Sequence, residues 1–247
     1  MTDDVIILEQ VSKKFSLPSS KKTLIDKVVN KNFFWALQNI CFRIENGESI
    51  AIIGKNGASK TLLLKVIAGI VYPTYGKVII KKPVSTIFCY WTGFYPEYTG
   101  KENIYLYGSL LGLQKEILRK NFDNIIAFSE LEDFIDLKVK HYSAGMIARL
   151  AFSVVSFLKP KILLMDEALS PGDASFVNKA HQKLFDLQKE STTMLMASHS
   201  MQSLKNLCKR GIVIDKGKIL FDGDINSSIK YYSENVLSVS PSVSAVH

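Results

Sequence analysis

Gly54-Lys55-Asn56-Gly57-Ala58-Ser59-Lys60-Thr61 sits between two apolar runs, Ser49-Ile50-Ala51-Ile52-Ile53 before it and Leu62-Leu63-Leu64-Lys65-Val66-Ile67-Ala68-Gly69 after it. The order reads as strand, tight loop, helix. The loop fits G-x-x-x-x-G-K-[ST] at Gly54, Lys60 and Thr61, and breaks it once, with Ser59 where the pattern has its second glycine. Two glycines alone would describe any turn; Lys-Thr at the start of a helix, directly after a buried strand, describes a phosphate site. Loop N–H groups from Asn56, Gly57 and Ala58 onward form an anion nest, and the helix N-terminus adds partial positive charge. Lys60 is expected to reach the β- and γ-phosphates of a nucleotide, and Thr61 to offer its hydroxyl to Mg²⁺. Glycine is used where a backbone turns to positive φ or approaches a ligand closely. Ser59 therefore either weakens the site or keeps ordinary dihedrals.

Composition bounds the rest. The chain has 247 residues, 47% of them hydrophobic, which suffices for a large core in one domain or two lobes. The longest apolar run, Leu150 to Leu158, holds nine residues including two serines, well short of the ~20 a membrane helix needs. The acidic start, Met1-Thr2-Asp3-Asp4, lacks a secretory-signal pattern. Cys41, Cys89 and Cys208 have no metal-ligand spacing, and free thiols in a reducing compartment are expected. The net charge of +8 suits nucleotide, anionic lipid or nucleic acid without choosing among them.

From the N-terminus, Val5 to Val11 reads as a strand. Six lysines then fall between Lys13 and Lys31, either a solvated loop or a patch facing anionic head groups. Trp35 to Ile44 alternates as a half-buried strand, and Glu45-Asn46-Gly47-Glu48 is a turn. Gly69 is placed to end the helix after the phosphate loop. Lys77 to Lys81 and Thr86 to Trp91 read as strands, the second running into an aromatic loop, Gly93 to Gly100. Helical patterns cover 101–111, 115–130, 143–158, 176–189 and 224–234; apolar strands cover 161–165 and 192–197; a hairpin turns at Lys216-Gly217. The region from about 90 to 158 is read as a helical lobe inserted into the nucleotide-binding core, and 238–247 as a frayed tail. Strands alternating with helices predict an α/β core with a largely parallel sheet.

Three further signals fall at places where such a core binds ligands. Ile162-Leu163-Leu164-Met165 delivers Asp166 and Glu167 at the end of a buried strand. Asp166 suits a Mg²⁺ shell, and Glu167 suits a general base for an attacking water. His199 ends the next apolar strand, where it can meet the γ-phosphate and hold Glu167 and the water in place. Tyr142-Ser143-Ala144-Gly145-Met146 opens another helix with small residues, with Ser143 as its N-cap. One chain with two such helix ends has one to spare, and a symmetric dimer in which Ser143 and Gly145 complete the partner copy's site uses both.

In this order, the four motifs resemble an ATP-binding cassette (ABC) subunit over about residues 5 to 235. Ser143-Ala144-Gly145-Met146 is similar to the signature motif usually written Ser-Gly-Gly-Gln, and Ser170-Pro171-Gly172-Asp173 to the D-loop, in which Asp173 contacts the other subunit. The resemblance implies a P-loop NTPase with a RecA-like core, N-terminal antiparallel strands and an inserted helical lobe, all within an ABC ATPase domain spanning residues 1–237. It also implies ATP and Mg²⁺, a homodimer, and a separate transmembrane permease. It places an adenine-stacking aromatic at Phe15, with Phe34 or Trp35 as substitutes, and a Gln or Glu at Cys89 or Tyr90, which supply neither. It sets Tyr95 and Tyr98 against the permease. The stretches Phe94 to Leu106, Arg149 to Ser153 and Pro171 to Phe176 further resemble the ATPases that export cell-surface polysaccharides: O-antigen, capsule and teichoic acid. The expected location is the cytoplasmic face of the membrane, with no nucleic-acid partner. The alternative is a degenerate cassette, motivated by Ser59 and the missing Gln or Glu, that binds nucleotide poorly and serves as a structural or regulatory partner.

Overall fold

A computed structural model describes residues 3–16, 33–88, 93–157, 160–166, 174–198 and 200–238. In chain order the first elements are β1 (Asp4–Ser16), β2 (Phe33–Glu45), β3 (Ser49–Ile53), α1 (Lys60–Ile67), β4 (Tyr75–Ile80) and β5 (Val84–Ile87). Three helices follow: α2 (Gly100–Leu110), α3 (Lys115–Ser129) and α4 (Ala144–Ser156). Then come β6 (Ile162–Asp166), α5 (Ala174–Lys189), β7 (Thr193–Ala197), α6 (Met201–Leu207), β8 (Arg210–Asp215), β9 (Lys218–Asp224) and α7 (Ile225–Tyr231). The chain divides into two compact units, one of residues 1–46, 50–81 and 208–247, the other of 47–49 and 82–207.

In the first unit β1 lies between β2 and β4, antiparallel to both. Ile6, Leu8, Val11, Leu37, Ile40 and Ile44 are its buried row, each nearly or fully enclosed. Full burial of such a side chain contributes roughly 1.5–3 kcal/mol. Both strands run further than their apolar stretches suggest. Pairing continues through Lys14↔Trp35, Phe15↔Phe34 and Ser16↔Phe33, so cross-strand partners carry β1 past Val11. The five residues of β3 are all buried, and Ile50 to Ile53 pair in parallel with β8, as an unbroken apolar run does when both faces are covered. Beside it, Arg210 holds both carboxylate oxygens of Asp222 at 2.6 Å, tying β8 to β9. Asp224 caps α7 by accepting from Asn226 and Ser227, and the last turn widens to a π-helix over 232–237.

In the second unit β5, β6 and β7 pair in parallel. The register begins at Val84↔Ile162, just after Pro83, and β5 ends at Ile87, earlier than the expected 86–91. Residues 89–92 lie outside the described set, so the expected Gln/Glu position at Cys89 or Tyr90 does too. α4 is buried at every residue from Ile147 to Ser156 except Arg149. Phe152 anchors it within 6.1 Å of the ring centres of Phe128 on α3 and Phe176 on α5.

Candidate phosphate loop and signature helix

The loop after β3 is built by three different constraints on small residues. Gly54 has no room for more: a Cβ there would lie 2.3 Å from the Ile214 carbonyl oxygen. Gly57 has open space around it but takes φ +80°, which glycine adopts without cost. Ser59 also takes φ +80°, with ψ 23°, so of the two alternatives open at this position the left-handed one holds. Its hydroxyl makes no capping bond to α1, whose N-cap it occupies, so no cap bond offsets the conformation. The fold thus requires what the glycine of the pattern supplies, and a serine meets that requirement under strain of order 1 kcal/mol or more.

Lys60 is 6% exposed. Its ammonium donates to the Gly54 carbonyl at 2.7 Å and to the Lys55 carbonyl at 3.1 Å, so the side chain folds back across its own loop. Ala58 N–H closes a turn onto the Lys55 carbonyl at 3.1 Å, and Leu63 N–H accepts the helical pattern by donating to Ser59 O at 2.9 Å. Thr61 stands exposed on the first turn of α1. At the other end of α1, Gly69 takes φ +73° and Ile70 N–H donates back to Lys65 O at 3.0 Å, the helix stop expected there. A loop of this shape with an ammonium at its centre fits a polyphosphate.

Phe15 is 44% exposed, Phe34 53% and Trp35 39%, so none of the three candidate adenine platforms is spent in the core.

In the second unit Asp166 is half-buried at the carboxyl end of β6, in register with Ala197 of β7. A hydroxyl and a carboxylate are the hard oxygen donors that Mg²⁺ takes, and Thr61 and Asp166 are of that chemistry. Ser143 is the N-cap of α4, its Oγ accepting from Met146 N–H at 3.2 Å. Ser143 is exposed, and only that Oγ comes near the missing Cβ of Gly145, at 3.7 Å. The preceding Tyr142 is buried, and its hydroxyl donates to Phe134 O at 2.8 Å. Burial pushes that phenol up to about 12. Glu167, Asp173 and His199 lie outside the described residues, as does the D-loop stretch 170–173.

One organising residue escaped notice in the sequence. Asn103 on α2 is fully buried, and its amide staples the aromatic loop before the helix. Nδ2 donates to the carbonyls of Tyr95, Tyr98 and Thr99 at 3.0, 3.1 and 3.0 Å, while Oδ1 accepts from Tyr95 N–H at 2.7 Å. Tyr95 and Tyr98 are thereby held edge to face, 4.8 Å between centroids, and both stay exposed. On the same loop Glu97 takes Lys140 and Lys138 at 3.1 Å, and those two ammonium groups hold its carboxyl below the usual range. The signal available in advance was an asparagine set among apolar helical neighbours, Ile104 and Leu106, in a stretch that also carries a capping box at Thr99 and Glu102.

A family model described as ABC transporter matches residues 37–170, more than half of the chain. The chain belongs to the ABC transporter family. Its curated relatives include the ABC transporter protein AbcA of Aeromonas salmonicida, 35% identical over 94% of this chain and 77% of that protein. They also include the O-antigen export system ATP-binding protein RfbB of Klebsiella pneumoniae, 39% identical over 81% and 82%. The teichoic acids export ATP-binding protein TagH of Lactococcus lactis is 39% identical over 92% of this chain and 50% of its own length. Among solved structures, a dimeric ATP-binding cassette in a post-hydrolysis state with ADP and Pi aligns at TM-score 0.74 and 21% identity, covering 89% of this chain and 98% of that one. The ABC family accounts for the P-loop fold and for ATP binding and hydrolysis as the activity. The relatives named here lend nothing to the degenerate alternative. Among the described residues no helix is long and apolar enough to cross a membrane.

Proposed function

We propose that this ABC subunit powers export of a cell-surface polysaccharide through a separate transmembrane permease, from the cytoplasmic face of the membrane. The observation that carries this reading is the 39% identity to export ATPases for two different glycans, an O-antigen and a teichoic acid. In this reading two copies dimerise, as in the aligned cassette, and each closes on ATP. Gly54 to Thr61 cradle the phosphates, with Lys60 leaving its carbonyl partners for the β- and γ-oxygens. Thr61 and Asp166 hold Mg²⁺, which supplies charge neutralisation to the phosphates when bound. Glu167 accepts the proton of the attacking water, and His199 orients both. Phe15 offers its exposed ring to adenine. Ser143 and Gly145, at the open end of α4, complete the partner copy's site, and Asp173 contacts that copy. Tyr95 and Tyr98, preset by Asn103, meet the permease. Residues 1–237 act as one ATPase domain with a helical lobe at about 90–158.

The test uses Glu167→Gln in cells and in solution. It is expected to abolish turnover while trapping an ATP-bound dimer, and to fail to restore surface glycan to cells lacking the gene. Normal hydrolysis by that variant removes Glu167 as the base. Unchanged surface glycan in the deleted cells removes the export assignment and leaves the ATPase standing.

A further inference from the structure

We propose that the end of the β1–β2 hairpin is a binding surface for an anionic lipid bilayer, a membrane contact separate from any made through the permease. Lys14 stands in register with Trp35, and its ammonium is surrounded by rings. The nitrogen lies 4.5 Å from the centroid of Phe33, 5.6 Å from that of Trp35 and 5.3 Å from that of Tyr75, with the Tyr75 hydroxyl accepting at 3.4 Å. The rings are exposed, Phe33 by 44% and Tyr75 by 55%. No carboxylate among the described residues pairs with Lys14.

Each feature would be a cost in a surface made only to face water. Exposed aromatics gathered in one patch mark a binding surface, where scattered ones would not. The composition selects the occupant. Tyr and Trp with lysine is the pairing found at membrane–water boundaries, where rings sit at head-group depth and the ammonium meets phosphate. Lys14 is already held by its cage, so little side-chain freedom is lost on contact. The charge is complementary: a lysine with no carboxylate partner among the described residues, on a chain of net charge +8, faces a surface of negative potential. Lys13 extends the basic edge, its ammonium anchored on the Tyr72 carbonyl at 2.8 Å and 5.3 Å from the ring of Phe15. The Lys14 cage does not include Phe15, which leaves that ring for the nucleotide.

The chain has two tryptophans, so Trp91→Phe makes Trp35 a reporter. The purified chain is mixed with phosphatidylcholine vesicles with and without phosphatidylglycerol. Binding is expected only with the anionic lipid, and to weaken as salt rises. Lys14→Gln lowers the partition coefficient about five-fold, and Phe33→Ser lowers it further, both with ATPase activity unchanged. Trp35 emission shifts to the blue and is quenched by brominated acyl chains. If Trp91→Phe does not fold, the co-sedimentation series in the natural background decides alone. Three outcomes overturn the proposal: no binding to anionic vesicles; equal binding by the natural chain and the Lys14→Gln/Phe33→Ser double variant; or binding only in the presence of the permease, which makes the patch a protein contact. None of them bears on the ATPase assignment.

Discussion

Asn103 clasps Tyr95 from both sides, its Oδ1 accepting the Tyr95 N–H at 2.7 Å and its Nδ2 donating to the Tyr95 carbonyl at 3.0 Å. The clasp joins a buried helix to an exposed aromatic loop. A side chain with no contact with solvent therefore sets the position of two rings that have a good deal of it. The energetic logic is that of any buried amide: fully paired it fixes one geometry, and partly paired it destabilises.

Asn103→Ala is expected to lower stability by about 2–3 kcal/mol, since it strands a buried N–H and loosens three carbonyls at once. Asn103→Asp does not rescue it, because a carboxylate keeps the acceptor and loses the donors. Urea denaturation measures the first effect. A second readout separates structure from coupling: ATP turnover by the isolated variant falls less than turnover stimulated by the permease. Equal stability of the natural chain and Asn103→Ala would show that the clasp contributes nothing.

Ser59 makes a prediction of the opposite sign. At φ +80° a glycine carries no Cβ penalty, so Ser59→Gly is expected to stabilise the chain by about 1 kcal/mol, less the greater freedom that glycine has when unfolded. Ser59→Val, β-branched in the same conformation, destabilises it. Thermal unfolding orders the three as Gly above Ser above Val. ATP affinity follows the same order if the strain resists closure of the loop on phosphate. A Ser59→Gly variant with a lower unfolding temperature would mean that the hydroxyl has a partner in the folded protein that outweighs the strain.

Lys60→Ala removes the ammonium and both of its bonds to the loop carbonyls. Turnover is expected to fall by at least about a hundred-fold, the scale for losing one charged group at a developing charge. The fold is expected to survive, because β3 is fully buried and its ladder with β8 does not involve the lysine. Circular dichroism checks the fold and phosphate release checks the rate.

What could be read in advance was local. β3, the phosphate loop and α1 follow one another in the chain, and their apolar run, glycines and Lys-Thr pair are enough to name the unit. The same holds for Ser143 as the cap of α4 and for Gly69 as the end of α1. What could not be read depends on partners far away. The length of β1 is set by Phe33, Phe34 and Trp35 across the ladder, since Lys13 to Ser16 carry no apolar pattern of their own. The left-handed turn at Ser59 is imposed by the strand-to-helix geometry, and a serine does not announce it. Asn103 looks like a helix-surface residue until the loop it closes is seen. For Glu167, Asp173 and His199 the assignment still rests on motif order and family, as it did from the sequence.

His181, on α5, gives the last prediction, a dependence on pH. Its Nε2 is buried with no hydrogen-bond partner among the described residues, and burial lowers its pKa from the ordinary 6.5. The unfolded chain therefore takes up this proton more readily than the folded one. Stability from this residue is full above the unfolded value, begins to fall as pH drops through about 6.5, and keeps falling to the lower folded value. Below both it levels off. The unfolding temperature of the natural chain is thus expected to drop between pH 7.5 and 5.5 more steeply than that of His181→Leu, which has no proton to gain. The comparison isolates the residue, because the carboxylates that titrate at lower pH are common to both chains. Parallel curves would mean that the imidazole finds a partner for its charge when protonated, and that its burial costs the folded state nothing in acid.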